Sequence, residues 1–364
     1  VGIVDKSILV KYAVVGVGGH GLNRHLIPLL NVSNAKLVAV ADINKSRCEE
    51  VASKYNVKCY VDYMDMISKE DIDAASIVTP TGLHASIAID MLKNGVHVLV
   101  DKPLGSNLNE VVEVVKAAKK TNRKLMVGYW SRFSPALQYA IEVYRKGLLG
   151  EPYYAYGYLI RRRGIPGSPT FIDKTLSGGK GALLDIGCYI IDNILAATGF
   201  KKPLTVTGAT YTKFGNIADE IKFNWGSWDP SKFDLEDFAV GFVKFEGGLT
   251  MVFEVAWAAN VSHVGEVGYM KVLGDRGGIE AKGDEAMKDV SFHSRSESFL
   301  YDSKPILKSV NMAFEMIKAF IYSIIEDTEP PVTGQQSVIL HSIIDAIYTS
   351  STTGKEIKIT LPEI

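Results

Sequence analysis

At 364 residues, with 47% hydrophobic and 22% charged side chains, the chain is long enough for two separately cored domains and balanced like a soluble globular protein. Its 40 basic residues are scattered and offset by 41 acidic ones, which speaks against a nucleic-acid partner. No apolar run approaches a membrane span and the first ten residues lack a signal peptide's build, so no membrane association and a cytoplasmic location are expected; three cysteines without CxxC spacing argue against a disulfide framework or zinc ribbon, and seven dispersed histidines against metal dependence.

Residues 8–16 form a β-branched apolar run ending in glycine, the pattern of a buried strand entering a tight turn. The turn reads Gly16-Val17-Gly18-Gly19-His20-Gly21, and LNRHLIPLL follows with helical spacing. Between a strand and a helix, G-x-G-x-x-G is a dinucleotide-binding signature. Gly16 permits the turn, Gly18 lets the backbone approach a pyrophosphate, and the helix N-terminus offers free N–H groups, His20 contributing its backbone rather than its ring. The next strand, KLVAVAD, puts Asp42 at its carboxyl end, about 20 residues on, where an acid that binds the adenosine ribose belongs. Such an acid repels a 2′-phosphate, so the expected cofactor is NAD, with Lys45 and Arg47 leaving NADP possible.

Helices at 45–55, 63–67, 83–93 and 109–120 alternate with strands ending near Tyr60, Thr79-Pro80, Asp101-Lys102-Pro103 and Tyr129. This rhythm predicts a doubly wound parallel sheet, a Rossmann domain over residues 1–127. Ligands of such sheets lie outside the strands' carboxyl ends, so Gly16, Asp42, Thr79 and Lys102 are expected to meet one ligand, with His84 at the opening of the next helix beside it. A lysine at the mouth of a buried strand is not a choice made for solubility.

Beyond residue 128 the rhythm changes. A helix at 135–146 precedes runs of period-2 alternation, which predict an α+β domain over 128–364 with a large, mainly antiparallel open sheet. Phe242, Phe245, Phe253 and Trp257 fall at alternating places on both faces, which predicts a homodimer or homotetramer through the open face. Amphipathic helices at 311–326 and 335–350 close the chain and are expected to pack back toward the first domain.

Residues 178–199, GGKGALLDIGCYIIDNILAATG, are an apolar helix broken by Asp185, Tyr189 and Asp192. Spaced four and then three apart, these share one helical face. A buried carboxylate needs a partner, so the stripe is either a satisfied structural network or the lining of a cleft, and a dinucleotide beside Lys102 favours the cleft. The loop RRRGIPGSPTFID at 161–173 runs into this helix and makes Arg162 and Arg163 candidate substrate contacts; residues 224–237 resemble a second rim.

The chain resembles the Gfo/Idh/MocA family of nicotinamide-dependent oxidoreductases over nearly its whole length. The resemblance rests on Gly16 to Gly21 with Asp42, on Thr79-Pro80 to His84, on Asp101-Lys102-Pro103 and on Gly178 to Asp192. Asp101-Lys102-Pro103 is similar to the family's E-K-P motif, whose Lys-Pro peptide is typically cis. The last stretch is similar to G-G-G-x-L-x-D-x-G-x-H-x-x-D, with Lys180 at the third glycine unless Gly181 is counted, and Tyr189 in place of histidine. Gly128 to Pro135 resembles the R-F-x-P crossover that carries Arg132. The resemblance implies catalytic roles for Lys102, Asp185 and Tyr189, cofactor contacts from Gly16 through Gly21, Asp42, Thr79, Pro80, His84, Asp101 and Lys102, and substrate contacts from Arg132, Arg162, Arg163 and Asp192. Tyrosine at this place resembles the glucose-fructose oxidoreductase group rather than the inositol dehydrogenases.

The implied function is hydride transfer between a nicotinamide and a sugar or polyol hydroxyl, with the anomeric carbon of an aldose a leading candidate. An NAD-dependent glycosidase or epimerase and a non-catalytic sugar sensor are the alternatives. A base must take the hydroxyl proton: Tyr189 as a phenolate favoured by Lys102, or Lys102 itself with Tyr189 as a hydrogen-bond donor.

Overall fold

The computed structural model describes residues 8–218, 221, 226–262 and 265–364. β1 (Val10–Val15) enters the glycine turn, which leads into a π-helical turn (Gly21–Leu26) and α1 (Ile27–Leu29). Then follow β2 (Ala35–Ala41), α2 (Lys45–Tyr55), β3 (Lys58–Tyr60), α3 (Tyr63–Lys69), β4 (Ala74–Ile77), α4 (Thr81–Lys93), β5 (His97–Asp101), α5 (Leu108–Thr121) and β6 (Leu125–Gly128). Asn44, Asp62 and Asn107 cap the first turns of α2, α3 and α5 with side-chain oxygens, and left-handed Asn56 and Asn122 end α2 and α5. The six strands lie parallel in the order β3-β2-β1-β4-β5-β6. The order reverses between β1 and β4, and that switch point opens the crevice in which such sheets bind ligands.

A 3-10 turn (Trp130–Phe133) leads to α6 (Pro135–Arg145), β7 (Pro152–Arg161), α7 (Pro169–Ile172), α8 (Lys174–Ser177), a second π-helical turn (Leu183–Gly187) and α9 (Cys188–Thr198). β8 (Pro203–Tyr211), β9 (Phe238–Phe245), β10 (Thr250–Ala256), β11 (Glu266–Gly274), β12 (Gly277–Gly283), β13 (Asp289–Ser296) and β14 (Phe299–Ser303) precede α10 (Met312–Ile325), α11 (Gly334–Thr353) and β15 (Ile357–Lys358). Their sheet runs β14-β13-β12-β11-β7-β10-β9-β8-β15, antiparallel except where β7 meets β10.

Two expectations are corrected here. Phe245, Phe253 and Trp257 are all fully buried on the covered side, and of the four aromatics only Phe242 faces out, 41% exposed. The register sets this: Phe253 pairs with Gly241 and Phe242 with Val252, so Phe253 and Phe242 point to opposite faces. The aromatics of the open face are instead Tyr154, Tyr156 and Tyr158 of β7 and Tyr269 of β11, the last two stacked at 5.6 Å. Cys48 and Cys59 are joined in a disulfide that ties α2 to β3, their Cα atoms 5.6 Å apart, while Cys188 is free and buried. A helix folding back beside its own following strand brings this pair together without any CxxC spacing.

α10 packs on α1 and sets Phe320 edge-on to Tyr12 of β1; α11 lies between α5 and β8. Among the described residues no helix is long and apolar enough to cross a membrane.

Candidate active site

The glycine turn is built for close approach. Gly16 has φ +86°, and a β-carbon there would fall 2.4 Å from the Val78 carbonyl oxygen. At Gly19, by contrast, a β-carbon would meet no protein atom within 4 Å, so the turn's N–H groups face open space at the helix start. Asp42 ends β2 with one carboxylate oxygen accepting the Val17 N–H at 2.9 Å and the other the Asn44 N–H at 2.8 Å; the Arg47 guanidinium lies 4.0 Å away. Across the switch point the Thr79 hydroxyl is buried without a hydrogen-bond partner. An orphaned hydroxyl at the crevice and an open anion-binding turn fit a dinucleotide.

Pro80 opens α4, and His84 one turn later is 1% exposed, its ring nitrogens each 2.7 Å from the carbonyl oxygens of Thr79 and Pro103. Burial holds its ring below the ordinary histidine value. His84 therefore braces the Thr79 and Pro103 loops from behind and has no ring nitrogen left for a ligand. Asp101 likewise turns inward, 3.3 Å from both His20 Nε2 and His25 Nε2. Burial would raise its carboxyl, but His20 and then His25 hold it well below the usual carboxylate value. The ring of His20 is thus engaged, not only its backbone.

Lys102 follows at the mouth of β5, before a cis peptide bond to Pro103. Its Nζ donates to the Asp185 carbonyl at 2.7 Å and to Asp185 Oδ1 at 3.0 Å, and lies 4.8 Å from the centre of the Tyr189 ring. Burial pushes the ammonium down, but Asp185 and then Tyr189 overcome it and leave the lysine well above its ordinary value. Burial pushes the Asp185 carboxyl up; Lys102 and then Arg161 bring it below the ordinary value, and Trp257 Nε1 donates to its Oδ2 at 2.9 Å. Tyr189 accepts from Trp130 Nε1 at 2.9 Å, and burial holds its hydroxyl well above the ordinary tyrosine value despite Lys102. The site at rest is an ammonium–carboxylate pair beside a protonated phenol.

Residues 10–129 match an oxidoreductase family with an NAD-binding Rossmann fold, and residues 137–280 match the GFO/IDH/MocA C-terminal domain. The chain belongs to the GFO/IDH/MocA oxidoreductase family. It is 26% identical over 352 residues to D-glucoside 3-dehydrogenase of Escherichia coli, covering 96% of this chain and 97% of that one. It is 35% identical over 158 residues to scyllo-inositol 2-dehydrogenase (NAD(+)) of Bacillus subtilis, covering 43% of this chain and 46% of that one. In fold it is similar to levoglucosan dehydrogenase in complex with NADH and levoglucosan, with a TM-score of 0.82, 20% identity and coverage of 96% and 99%.

Within this family member, not every expected site residue joins the Lys102 centre. Arg132 and Asp192 are buried and bonded to each other, Nε to Oδ2 at 2.5 Å and Nη2 to Oδ1 at 2.8 Å, which leaves the pair no free charge for a substrate. Arg163 is held by the Ala259 carbonyl at 3.2 Å and Asn260 at 2.9 Å, and Arg162 is exposed. Of the three consecutive arginines it is Arg161 whose charge reaches Asp185. The rim expected at 224–237 lies partly outside the described residues, positions 224 and 225 among them. Lys180 bonds Asp345 at 2.5 Å and the Ser106 carbonyl at 2.8 Å, while a β-carbon on Gly181 would fall 2.1 Å from the Glu236 carbonyl oxygen. Gly181 thus occupies the close approach, and Lys180 is tied to α11.

No local pattern in the sequence marks Trp257, Trp130, His25 or Arg161 as site residues. Trp257 and Trp130 lie 72 and 59 positions from the side chains they hold, and no local spacing encodes such contacts.

Proposed function

We propose that this NAD-binding oxidoreductase transfers hydride between the nicotinamide and a secondary hydroxyl of a sugar or polyol ring. The observation that carries the reading is Lys102, held by Asp185 and facing the Tyr189 ring at the carboxyl end of β5. The similarity to D-glucoside 3-dehydrogenase along nearly the full length of both chains favours a ring secondary alcohol over the anomeric carbon. Residues 1–127 serve as the cofactor unit and 128–364 as the substrate and oligomerisation unit.

Gly16 through Gly21 and Thr79 would hold the dinucleotide, with Asp42 at its ribose; bound NAD supplies the hydride acceptor. Lys102 exchanges the proton with the reacting oxygen, Asp185 fixes the ammonium, and Tyr189 holds that oxygen through its hydroxyl. Because Asp185 keeps Lys102 protonated, the resting site is poised to donate a proton, the step that reduction of a carbonyl requires. Oxidation needs the deprotonated lysine, so its kcat should rise with pH into the alkaline range.

A panel of methyl α-D-glucoside, D-glucose, scyllo-inositol and D-xylose, followed by NADH absorbance, tests the reading. Oxidation of the glucoside, whose anomeric carbon is blocked, is expected. Activity on free aldoses alone would move the reaction to the anomeric carbon, and product formed without NADH would replace the dehydrogenase with a reaction of no net redox. NAD should be preferred to NADP by about tenfold or more in KM, because Asp42 opposes a 2′-phosphate.

The tyrosine-rich open face of the second sheet supports assembly into a homodimer or homotetramer. The dependence on NAD supports a place in the cytoplasm, where that cofactor is pooled.

A further inference from the structure

The histidines are dispersed along the chain, yet the fold brings two of them onto one carboxylate outside the proton-transfer centre. His20 stands in the glycine turn, and His25 lies in the π-helical turn Gly21–Leu26 that follows it. On an α-helix, at about 100° per residue, positions five apart point about 140° away from each other. A π-helical turn bonds position i to i+5 and brings such positions onto one face, and single turns of this kind recur at functional sites. Here the two imidazole rings lie 6.2 Å apart between centroids, on the side of the turn that meets the end of β5.

His20 Nε2 and His25 Nε2 each lie 3.3 Å from the same oxygen, Asp101 Oδ1, and all three ligand atoms fall within 4.8 Å of one another. Two features fit an ion better than a pair of hydrogen bonds. The first is the separation. N–H···O bonds cluster at about 2.9–3.0 Å, whereas two ligands of a tetrahedral Zn2+, each about 2.0–2.1 Å from it, stand about 3.3–3.4 Å apart. The second is the support behind His25, which is fully buried. Its Nδ1 lies 3.0 Å from Ser76 Oγ, and that hydroxyl lies 2.8 Å from the hydroxyl of Tyr12. Such an outer contact fixes the ring with Nε2 aimed at Asp101, as it does for histidines that bind metals.

The His20 side chain is 46% exposed, which gives an ion a path from solvent and lets the ring rotate to close the remaining gap. A β-carbon on the neighbouring Gly19 would meet no protein atom within 4 Å, so a fourth ligand has room. Two imidazoles and one carboxylate suit Zn2+, while Mg2+ prefers an octahedron of oxygens.

We propose that His20, His25 and Asp101 form a Zn2+ site with three protein ligands and one open position, which clamps the glycine turn to the end of β5, one residue before Lys102. The proposal does not depend on the identity of the substrate.

The test uses the full chain, treated with a chelator and then dialysed, and titrates it with Zn2+ by calorimetry. About one ion per chain should bind with a Kd of about 10 μM or tighter; weaker binding or none would overturn the proposal. Co2+ in place of Zn2+ should give the strong visible absorption of a four-coordinate ion, and the same concentration of Mg2+ should not displace it. A weak six-coordinate spectrum, or displacement by Mg2+, would overturn it. His20→Ala keeps the buried half of the cluster and should weaken Zn2+ binding by about a hundredfold or more, since even outer contacts cost about 10–100-fold. His293, which pairs with Asp302 on the exposed strands β13 and β14, is the control. His293→Ala should bind Zn2+ like the natural chain; a loss there, or undiminished binding in His20→Ala, would overturn the assignment. Melting temperature gives an independent readout. Zn2+ should raise it in the natural chain and in His293→Ala but not in His20→Ala, and an equal response in all three would overturn the proposal.

Discussion

Asp185 carries more of the site than its single negative charge suggests. Its carbonyl and one carboxylate oxygen hold Lys102, and its other oxygen takes the Trp257 N–H at 2.9 Å. Trp257→Phe would keep the packing and leave that oxygen buried without its donor, at a cost of about 1–3 kcal/mol in stability by chemical denaturation. Because the carboxylate then turns off the ammonium, kcat should fall about tenfold with a smaller change in the KM for NAD; unchanged kcat would show that Trp257 only packs. The Arg132–Asp192 pair is a different kind of contact. It is closed on itself, so Arg132→Ala should cost about 3–5 kcal/mol by leaving Asp192 buried and unpaired, and Arg132→Ala with Asp192→Ala should recover part of that. A loss below about 1 kcal/mol would mean that water reaches the carboxylate. The identity of Lys102, Asp185 and Tyr189 was legible in the sequence because each breaks a strong apolar pattern. Their partners were not: Trp257 and Trp130 sit where an aromatic residue is expected anyway, so nothing local marks which indole N–H has a distant carboxylate or phenol to bond.

At the scale of elements, the first domain was legible nearly to the residue. A strand buried on both faces reads as a continuous apolar run, and caps such as Asn44 and Asn107 mark where helices start. The second domain was less so, because β12 to β14 are short, polar or exposed and draw their order from neighbouring strands rather than from their own pattern. The π-helical turn Leu183–Gly187 was hidden too, since an apolar helix with one extra residue per turn looks periodic. What fixes that turn is Glu236, whose carboxylate accepts the N–H groups of Gly181 at 2.9 Å and Leu183 at 3.0 Å and the Tyr348 hydroxyl at 2.6 Å. Gly181→Ala would drive a methyl group against the Glu236 carbonyl and displace this start, so melting temperature and kcat should fall together. Lys180→Ala removes the ties to Asp345 and to the Ser106 carbonyl and should cost about 1–3 kcal/mol. A Gly181→Ala protein as stable as the natural chain would show that the approach relaxes without consequence.

For the whole molecule, Lys102 at the end of β5 in the parallel sheet meets Asp185 in the π-helical turn before α9, Nζ to Oδ1 at 3.0 Å. The open face of the larger sheet is the other large-scale feature. Tyr158 and Tyr269 stack there, and the Lys271 ammonium sits 5.8 Å and 5.9 Å from the rings of Tyr154 and Tyr156. Under the proposed assembly through this face, Tyr158→Glu would put an unpaired charge at the contact, so sedimentation should show a lighter particle than the natural chain forms. An unaltered sedimentation coefficient would place any interface elsewhere.

Lys102→Ala probes whether Lys102 exchanges the proton of the reacting hydroxyl. NAD binding is read by tryptophan quenching, and turnover of the best sugar or polyol substrate by NADH absorbance. NAD binding should stay within about threefold of the natural chain while kcat falls by about a thousandfold. Turnover undiminished while NAD binding persists would contradict this role.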